Sequence, residues 1–276
     1  AGIAGDALYY RMASAAALGE PFLSSPETLF SGEEGKKGFP HPELMEFLLG
    51  LFEHGAENYA ASYLREKTDD LSVPELRALA RAMHRKELYA GVIRLVSTYM
   101  NRGDYEFNRE DLELAYPRPW RRQVEQRADE SGLAPELLFG LIRTESAFQP
   151  DIVSWAGAAG LTQLMAATAE ETAGRLKRQG GPDYAEKGEP DLLDPEVNIH
   201  LGATYLRYLV DRLEDTLFAL IAYNGGITRF RRWRAAETEL PGDLFLETVA
   251  FSETRTYCRR VLSAAAVYRY LYYGKP

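Results

Sequence analysis

Residues 135–146 read PELLFGLIRTES, and one carboxylate stands where the surrounding pattern is apolar. Pro135 can begin a helix, because its missing N–H is not needed in the first turn. Apolar residues then recur at the three- and four-residue steps of one helix face, at Leu138, Leu141 and Ile142. The next position on that stripe is Glu145. The spacing therefore predicts a helix that directs a carboxylate toward the core.

A carboxylate on an apolar face has a definite chemical use. Burial disfavours the ionised form and raises the pKa, so that Glu145 would hold a proton near neutral pH. A protonated carboxyl with such a pKa suits a general acid, as in glycosidases. The alternative from this spacing alone is that the helix ends before Glu145, whose side chain then meets water or pairs with Arg143.

The composition is that of a folded, water-soluble protein. The chain has 276 residues, 46% hydrophobic and 26% charged, with a net charge of −9 that disfavours nucleic-acid binding. Cys258 is the one cysteine and the four histidines are scattered, so we predict no disulfide, no catalytic metal and no cofactor. No apolar run predicts a membrane span. A start at Ala1 without a secretion signal suggests a processed or truncated chain.

Helical periodicity runs through most of the sequence and predicts an all-α fold. Residues 42–67, 74–86 and 88–99 each read as a helix, and short links between them resemble the helix pairs of an α-solenoid. Residues 101–118 have weak periodicity and form the candidate boundary. We therefore predict a helical scaffold over 1–115 and a catalytic domain over 116–276. No convincing strand is found.

The residues after Glu145 extend the pattern. Ser146 can bond the local backbone or the carboxyl, and small residues at 156–160 allow a ligand to approach the main chain closely. Three ordered blocks, Glu145-Ser146, residues 160–165 (GLTQLM) and residues 222–226 (AYNGG), resemble the signature blocks of soluble lytic transglycosylases. The resemblance covers about residues 116–273. Departures from the family pattern are Thr162 in place of Met, Ala166 in place of Pro, and Gly225 where Ala is commoner.

The resemblance implies a lysozyme-like catalytic domain, preceded by a helical superstructure, that cleaves the β-1,4 bond between N-acetylmuramic acid and N-acetylglucosamine in peptidoglycan. Glu145 would be the single catalytic acid and base, and the muramoyl C6 hydroxyl would close a 1,6-anhydro ring without water. The remaining site residues would bind substrate: Ser146, Ser154 near the N-acetyl group, Gln163 and Met165 along the groove, Tyr223 facing the carboxyl, Asn224, and Glu253 from the opposite wall. Thr162 would place a hydroxyl in the groove lining.

Two other functions stay open at this point. A goose-type lysozyme has a similar fold but hydrolyses the same bond, and a helical scaffold or glycan-binding module would not catalyse at all. The implied substrate predicts location in the bacterial periplasm or cell envelope. Peptidoglycan strands are the expected partner, with cell-wall synthesis proteins as further possible partners.

Overall fold

The computed structural model describes residues 38–102, 105, 109–186, 188–236 and 240–274, together with 9–10, 14–15 and 18. From residue 38 onward these ranges contain thirteen α-helices and no strand; two isolated β-bridges join Ala159 to Val153 and to Leu164. The prediction of an all-α fold is confirmed. The chain divides into two compact units, Ala1–Pro117 with Gly274–Pro276, and Arg118–Tyr273. The scaffold and catalytic roles assigned to 1–115 and 116–276 stay predictions.

Five α-helices span the described part of the first unit from residue 38 onward. They are α1 (Pro42–Glu53), α2 (Glu57–Lys67), α3 (Val73–Arg85), α4 (Tyr89–Met100) and α5 (Arg109–Ala115). The single helix predicted over 42–67 is wrong, because Gly55 has a φ of 74° and this left-handed conformation separates α1 from α2. The boundary segment predicted over 101–118 contains α5, which weak periodicity did not indicate.

A buried ion pair explains why α5 forms there. Both Asp111 carboxylate oxygens accept hydrogen bonds from the Arg77 guanidinium, each at 2.8 Å, and the Tyr99 hydroxyl donates to the same carboxylate at 2.6 Å. All three side chains are buried. This network joins α3, α4 and α5 through polar atoms, which an apolar repeat cannot reveal.

Eight helices form the described part of the second unit. They are α6 (Arg121–Glu130), α7 (Pro135–Ser146), α8 (Ala166–Arg178), α9 (Pro195–Leu213), α10 (Thr216–Gly225), α11 (Ile227–Ala236), α12 (Gly242–Thr248) and α13 (Ser252–Tyr268). A π-helical turn over Arg269–Tyr273 follows α13. The Asp194 side chain caps α9 by accepting a hydrogen bond from the Glu196 N–H at 2.8 Å.

Helices α7 and α13 pack closely along one another. A side chain on Gly140 would bring its Cβ within 2.8 Å of the Val261 carbonyl oxygen, so this contact requires glycine. The pair provides a rigid base for residues at the end of α7. None of the described helices has both the length and the apolar character of a membrane span.

Candidate functional site

Glu145 lies in the last turn of α7, so the alternative in which the helix ends before it is wrong. The chain turns sharply just after the helix, where Ala147 and Phe148 have φ values of 47° and 65°. Left-handed conformations are unfavourable for residues with a Cβ. The sharp turn made by these two residues ends α7 directly after Ser146 and thereby fixes where the Glu145 carboxyl lies.

Ser146 holds this helix end through its side chain. Its hydroxyl donates to the Ile142 carbonyl at 3.1 Å and accepts a hydrogen bond from the Phe148 N–H at 3.1 Å. The residue is only 4% exposed. The substrate contact predicted for Ser146 stays a prediction, and its hydroxyl bonds the main chain on both sides.

The electrostatic environment of Glu145 matches the expected acid. Its side chain is partly buried, and this burial raises the pKa of the carboxyl from 4.5 to about 7. The Tyr257 hydroxyl lies close to the carboxyl and opposes part of the rise in pKa, although the pair does not reach full hydrogen-bond geometry. In the described part of the chain, no carboxylate contributes to this shift. Near neutral pH, Glu145 therefore exists in both protonation states.

Two tyrosines flank the carboxyl. The Tyr223 hydroxyl donates to the Thr162 carbonyl at 2.9 Å, and burial together with the nearby Glu145 charge raises the Tyr223 pKa. Burial and the same carboxyl also raise the pKa of Tyr257. Both phenols are therefore neutral hydrogen-bond donors at physiological pH.

Tyr257 was missed from the sequence, although a signal for it exists. It lies four residues after Glu253 on α13, and side chains at this spacing are neighbours on one helix face. Glu253 is exposed in the first turn of α13. The face that carries Glu253 therefore also carries the tyrosine beside Glu145.

Residues 152–165 form a tightly bonded loop next to Tyr223. Gln163 has a φ of 49°, and its side-chain amide donates to the Ile152 and Gly160 carbonyls at 3.1 and 2.9 Å. The Ser154 hydroxyl accepts a hydrogen bond from the Ala158 N–H at 3.0 Å. Ser154 and Gln163, which were predicted to bind substrate, thus hold the loop in shape. Met165, at the end of the loop, is 46% exposed.

Thr162 does not line a groove, contrary to the prediction. It is fully buried, and its N–H and hydroxyl donate to the Asn198 side-chain oxygen at 2.8 and 2.7 Å. The Asn198 amide donates in turn to the Ala159 and Leu192 carbonyls at 3.0 and 2.9 Å. Asn198 is therefore the centre of a polar network that fastens the loop to α9.

Asn224 joins the end of α10 to the start of α13. Its side-chain oxygen accepts a hydrogen bond from the Thr254 hydroxyl at 2.7 Å. This bond brings the helix that carries Tyr223 to the helix that carries Tyr257. Among the described residues, no group of three or more His, Cys, Asp or Glu is arranged to hold a metal ion.

Sequence comparisons point to one enzyme family. Residues 122–246 match the family model of the transglycosylase SLT domain. The soluble lytic murein transglycosylase of Escherichia coli K12 is 34% identical over 167 residues, which cover 60% of this chain and 25% of the relative. A transglycosylase of Enterobacteria phage PRD1 is 35% identical over 123 residues, covering 45% of this chain and 40% of the relative. The match thus spans about a quarter of the E. coli protein's length.

Solved structures give the same result. The lytic transglycosylase Slt of Pseudomonas aeruginosa, solved as an inactive glutamate-to-glutamine mutant, aligns with a TM-score of 0.75 and 28% identity, over 97% of this chain and 42% of that chain. The 70 kDa soluble lytic transglycosylase of E. coli aligns with a TM-score of 0.70 and 26% identity, over 95% of this chain and 40% of that chain. A 70 kDa soluble lytic transglycosylase in complex with bulgecin A gives a TM-score of 0.71 at 27% identity, over 97% of this chain and 41% of that chain.

Proposed function

Because this chain carries an SLT domain and belongs to the soluble lytic transglycosylase family, we propose that it cleaves peptidoglycan strands at the β-1,4 bond between N-acetylmuramic acid and N-acetylglucosamine. The observation that carries the proposal is Glu145, a partly buried carboxyl with a pKa of about 7 between two neutral tyrosines. A proton donor with a pKa near the working pH is what glycosidic bond cleavage needs.

In the first step, Glu145 acts as the acid. Its proton passes to the glycosidic oxygen, the bond from this oxygen to the muramoyl C1 breaks, and the N-acetylglucosamine side leaves as an alcohol. The N-acetyl oxygen stabilises the positive charge on C1. Glu145 becomes a carboxylate, which the Tyr257 hydroxyl stabilises, since this hydroxyl lowers the Glu145 pKa.

In the second step, the same residue acts as the base. The muramoyl C6 hydroxyl attacks C1, and its proton passes to the Glu145 carboxylate. A 1,6-anhydro ring closes, Glu145 regains its proton, and no water is consumed. One residue can perform both steps because its basic form arises when the base is required.

The other site residues have proposed roles beside this centre. Tyr223 faces the Glu145 carboxyl while its hydroxyl donates to the Thr162 carbonyl, and Asn224 keeps α10 against α13. Met165 lines the groove and Glu253 contacts the sugar from the α13 side. For Ser154 and Gln163, we propose that the loop they brace binds the N-acetyl group and glycan.

The hydrolytic alternative, a goose-type lysozyme, needs a group that activates water. Retaining glycosidases place a second carboxyl about 5–5.5 Å from the first, and inverting ones about 6.5–9.5 Å away. Two carboxyls at the shorter separation would raise each other's pKa, whereas burial and a tyrosine account for the shift of Glu145. This favours the internal nucleophile. The non-catalytic alternative is disfavoured by the intact acid.

Mass spectrometry of the released fragments tests the proposal. Purified peptidoglycan is digested with the full chain, and we expect muramoyl ends that are one water lighter than reducing ends. The Glu145→Gln variant should release nothing. Reducing ends alone would support the lysozyme, and no fragments from the wild type would support a binding module.

The setting of the reaction follows from the substrate. We propose that the protein works in the bacterial periplasm or cell envelope and meets peptidoglycan strands there. Residues 1–115 are proposed to act as a scaffold for the catalytic domain, residues 116–276.

A further inference from the structure

Trp155 is fully exposed, at 100% of its reference surface. The chain has three tryptophans, and the other two, Trp120 and Trp233, are partly buried. A side chain with so much apolar surface is usually covered at least in part. Complete exposure therefore calls for a partner that covers the indole at some stage.

The indole stands on a rigid turn. The Ser154 N–H donates to the Ala158 carbonyl at 2.8 Å, and the Gly157 N–H donates to the Ser154 carbonyl at 2.9 Å. Gly157 supplies the left-handed conformation of this turn, with a φ of 86°. A side chain held at a fixed place loses less entropy on binding than one on a mobile loop.

This turn is continuous with the candidate site. The Ile152 carbonyl accepts hydrogen bonds from the Gly160 N–H at 3.0 Å and from the Gln163 side chain at 3.1 Å. Trp155 follows Ile152 by three residues, which separates their Cα atoms by about 10 Å at most. Gln163 adjoins Thr162, whose carbonyl holds the Tyr223 hydroxyl beside Glu145.

Other apolar surface is concentrated in the same segment. Six large hydrophobic side chains are exposed in the second unit: Val153, Trp155, Met165, Leu193, Leu244 and Phe251. Half of them lie within residues 153–165. An exposed apolar cluster at the edge of a site indicates contact with a ligand.

We propose that Trp155 is a sugar-binding platform on which one pyranose ring of the glycan strand stacks beside the bond that Glu145 cleaves. A pyranose face presents C–H groups, and the indole offers a flat apolar surface together with one N–H donor. Val153 and Met165, which are exposed in the same segment, are expected to extend this surface. The inference rests on the proposed function, since its ligand is the same glycan strand.

Fluorescence quenching tests the contact without requiring turnover. The full chain with Glu145→Gln is titrated with soluble, uncrosslinked peptidoglycan strands in the presence of acrylamide. Trp155 is the most accessible tryptophan, so we expect bound glycan to reduce the quenching constant at least twofold. In the double variant Glu145→Gln with Trp155→Phe, bound glycan should no longer reduce the quenching constant.

Affinity gives the second measurement. We expect Trp155→Ala, in the same Glu145→Gln background, to weaken strand binding about tenfold, because aromatic anchors often supply that much. Trp155→Tyr should retain most of the affinity. The matched control is Leu244→Ala, which removes another exposed apolar side chain, from α12, and should leave binding unchanged.

The outcomes separate the two proposals. If Glu145→Gln binds strands but the quenching constant does not change, or if Trp155→Ala binds as tightly, the platform is refuted while the proposed function stands. If the wild type releases no fragments and Glu145→Gln binds no strands, both proposals fail. Since Trp155 is fully exposed, its variants should fold normally. Circular dichroism spectra of the variants are the check.

Discussion

Replacing Glu145 with glutamine should stabilise the protein while removing its activity. Glutamine has the same shape but no charge, so the substitution removes the cost of burying a carboxylate. The difference between a pKa of 4.5 in the unfolded chain and about 7 in the folded protein sets this cost. It amounts to about 3 kcal/mol when the carboxyl is ionised in both states.

The titration of Glu145 in the folded and unfolded states sets how the stability difference between the two proteins changes with pH. Below pH 4.5, both states hold the proton and the cost is absent. Between 4.5 and about 7, the unfolded chain ionises while folded Glu145 stays protonated, so the wild type loses stability as pH rises. Above 7, the full penalty is present. The glutamine variant avoids this loss, so its advantage should grow from near zero at pH 4 to about 3 kcal/mol at pH 8.

Thermal unfolding of both proteins at pH 4, 6 and 8 measures this difference. An advantage of about 3 kcal/mol corresponds to a rise in the melting temperature of roughly 6–12 °C. Glu253→Gln is the matched control, because it removes an exposed carboxylate from α13 and should give no such rise. An advantage for Glu145→Gln that stays the same at pH 4 and pH 8 would show that Glu145 is not desolvated, and the proposed acid would lose its physical basis.

Three other substitutions probe the surroundings of the site and the first unit. Tyr257→Phe removes the hydroxyl that lowers the Glu145 pKa, so the fall in activity at high pH should move upward in pH; an unmoved profile would separate Tyr257 from the acid. Asn198→Ala leaves several buried polar groups without partners and should cost about 3 kcal/mol or more, measured by urea unfolding; a loss below about 1 kcal/mol would contradict the network. Asp111→Ala leaves a buried arginine uncompensated and should cost about 3–5 kcal/mol in the same assay, whereas an unchanged midpoint would contradict this.

Local spacing predicted the part of the site that belongs to one helix. The apolar stripe of α7 placed Glu145 on its inner face, and Pro135 marked the start of the helix. Both signals are periodic and short in range, so the sequence contains them in readable form. The end of α10 at Gly226, which has a φ of 84°, is an equally local feature.

Such short-range patterns could not predict the contacts between segments that are distant in the sequence. Thr162 and Asn198 are 36 residues apart, and nothing local distinguishes a threonine that bonds a buried amide from one that lines a groove. The position of Tyr257 four residues after Glu253 places the two on one helix face. That its hydroxyl meets Glu145 depends on how α13 packs against α7. Tertiary structure thus supplied the residues that adjust the pKa of Glu145, while the sequence indicated Glu145 itself as the proposed acid.

Several unfavourable features meet at this one site, and together they argue for function. Ala147, Phe148 and Gln163 are left-handed although none is glycine, and Glu145 is held where ionisation is costly. Each feature costs of the order of 1–3 kcal/mol. Such costs persist only where surrounding structure enforces them, here the Asn198 network and the close packing of Gly140 against α13. Glu87 and Glu214 are also left-handed beside helix ends, so what marks this site is the combination of three such residues with a carboxyl that is costly to ionise, for which a purely structural helix end would have no reason. The proposed acid, which would keep its proton until a glycan strand arrives, would have such a reason.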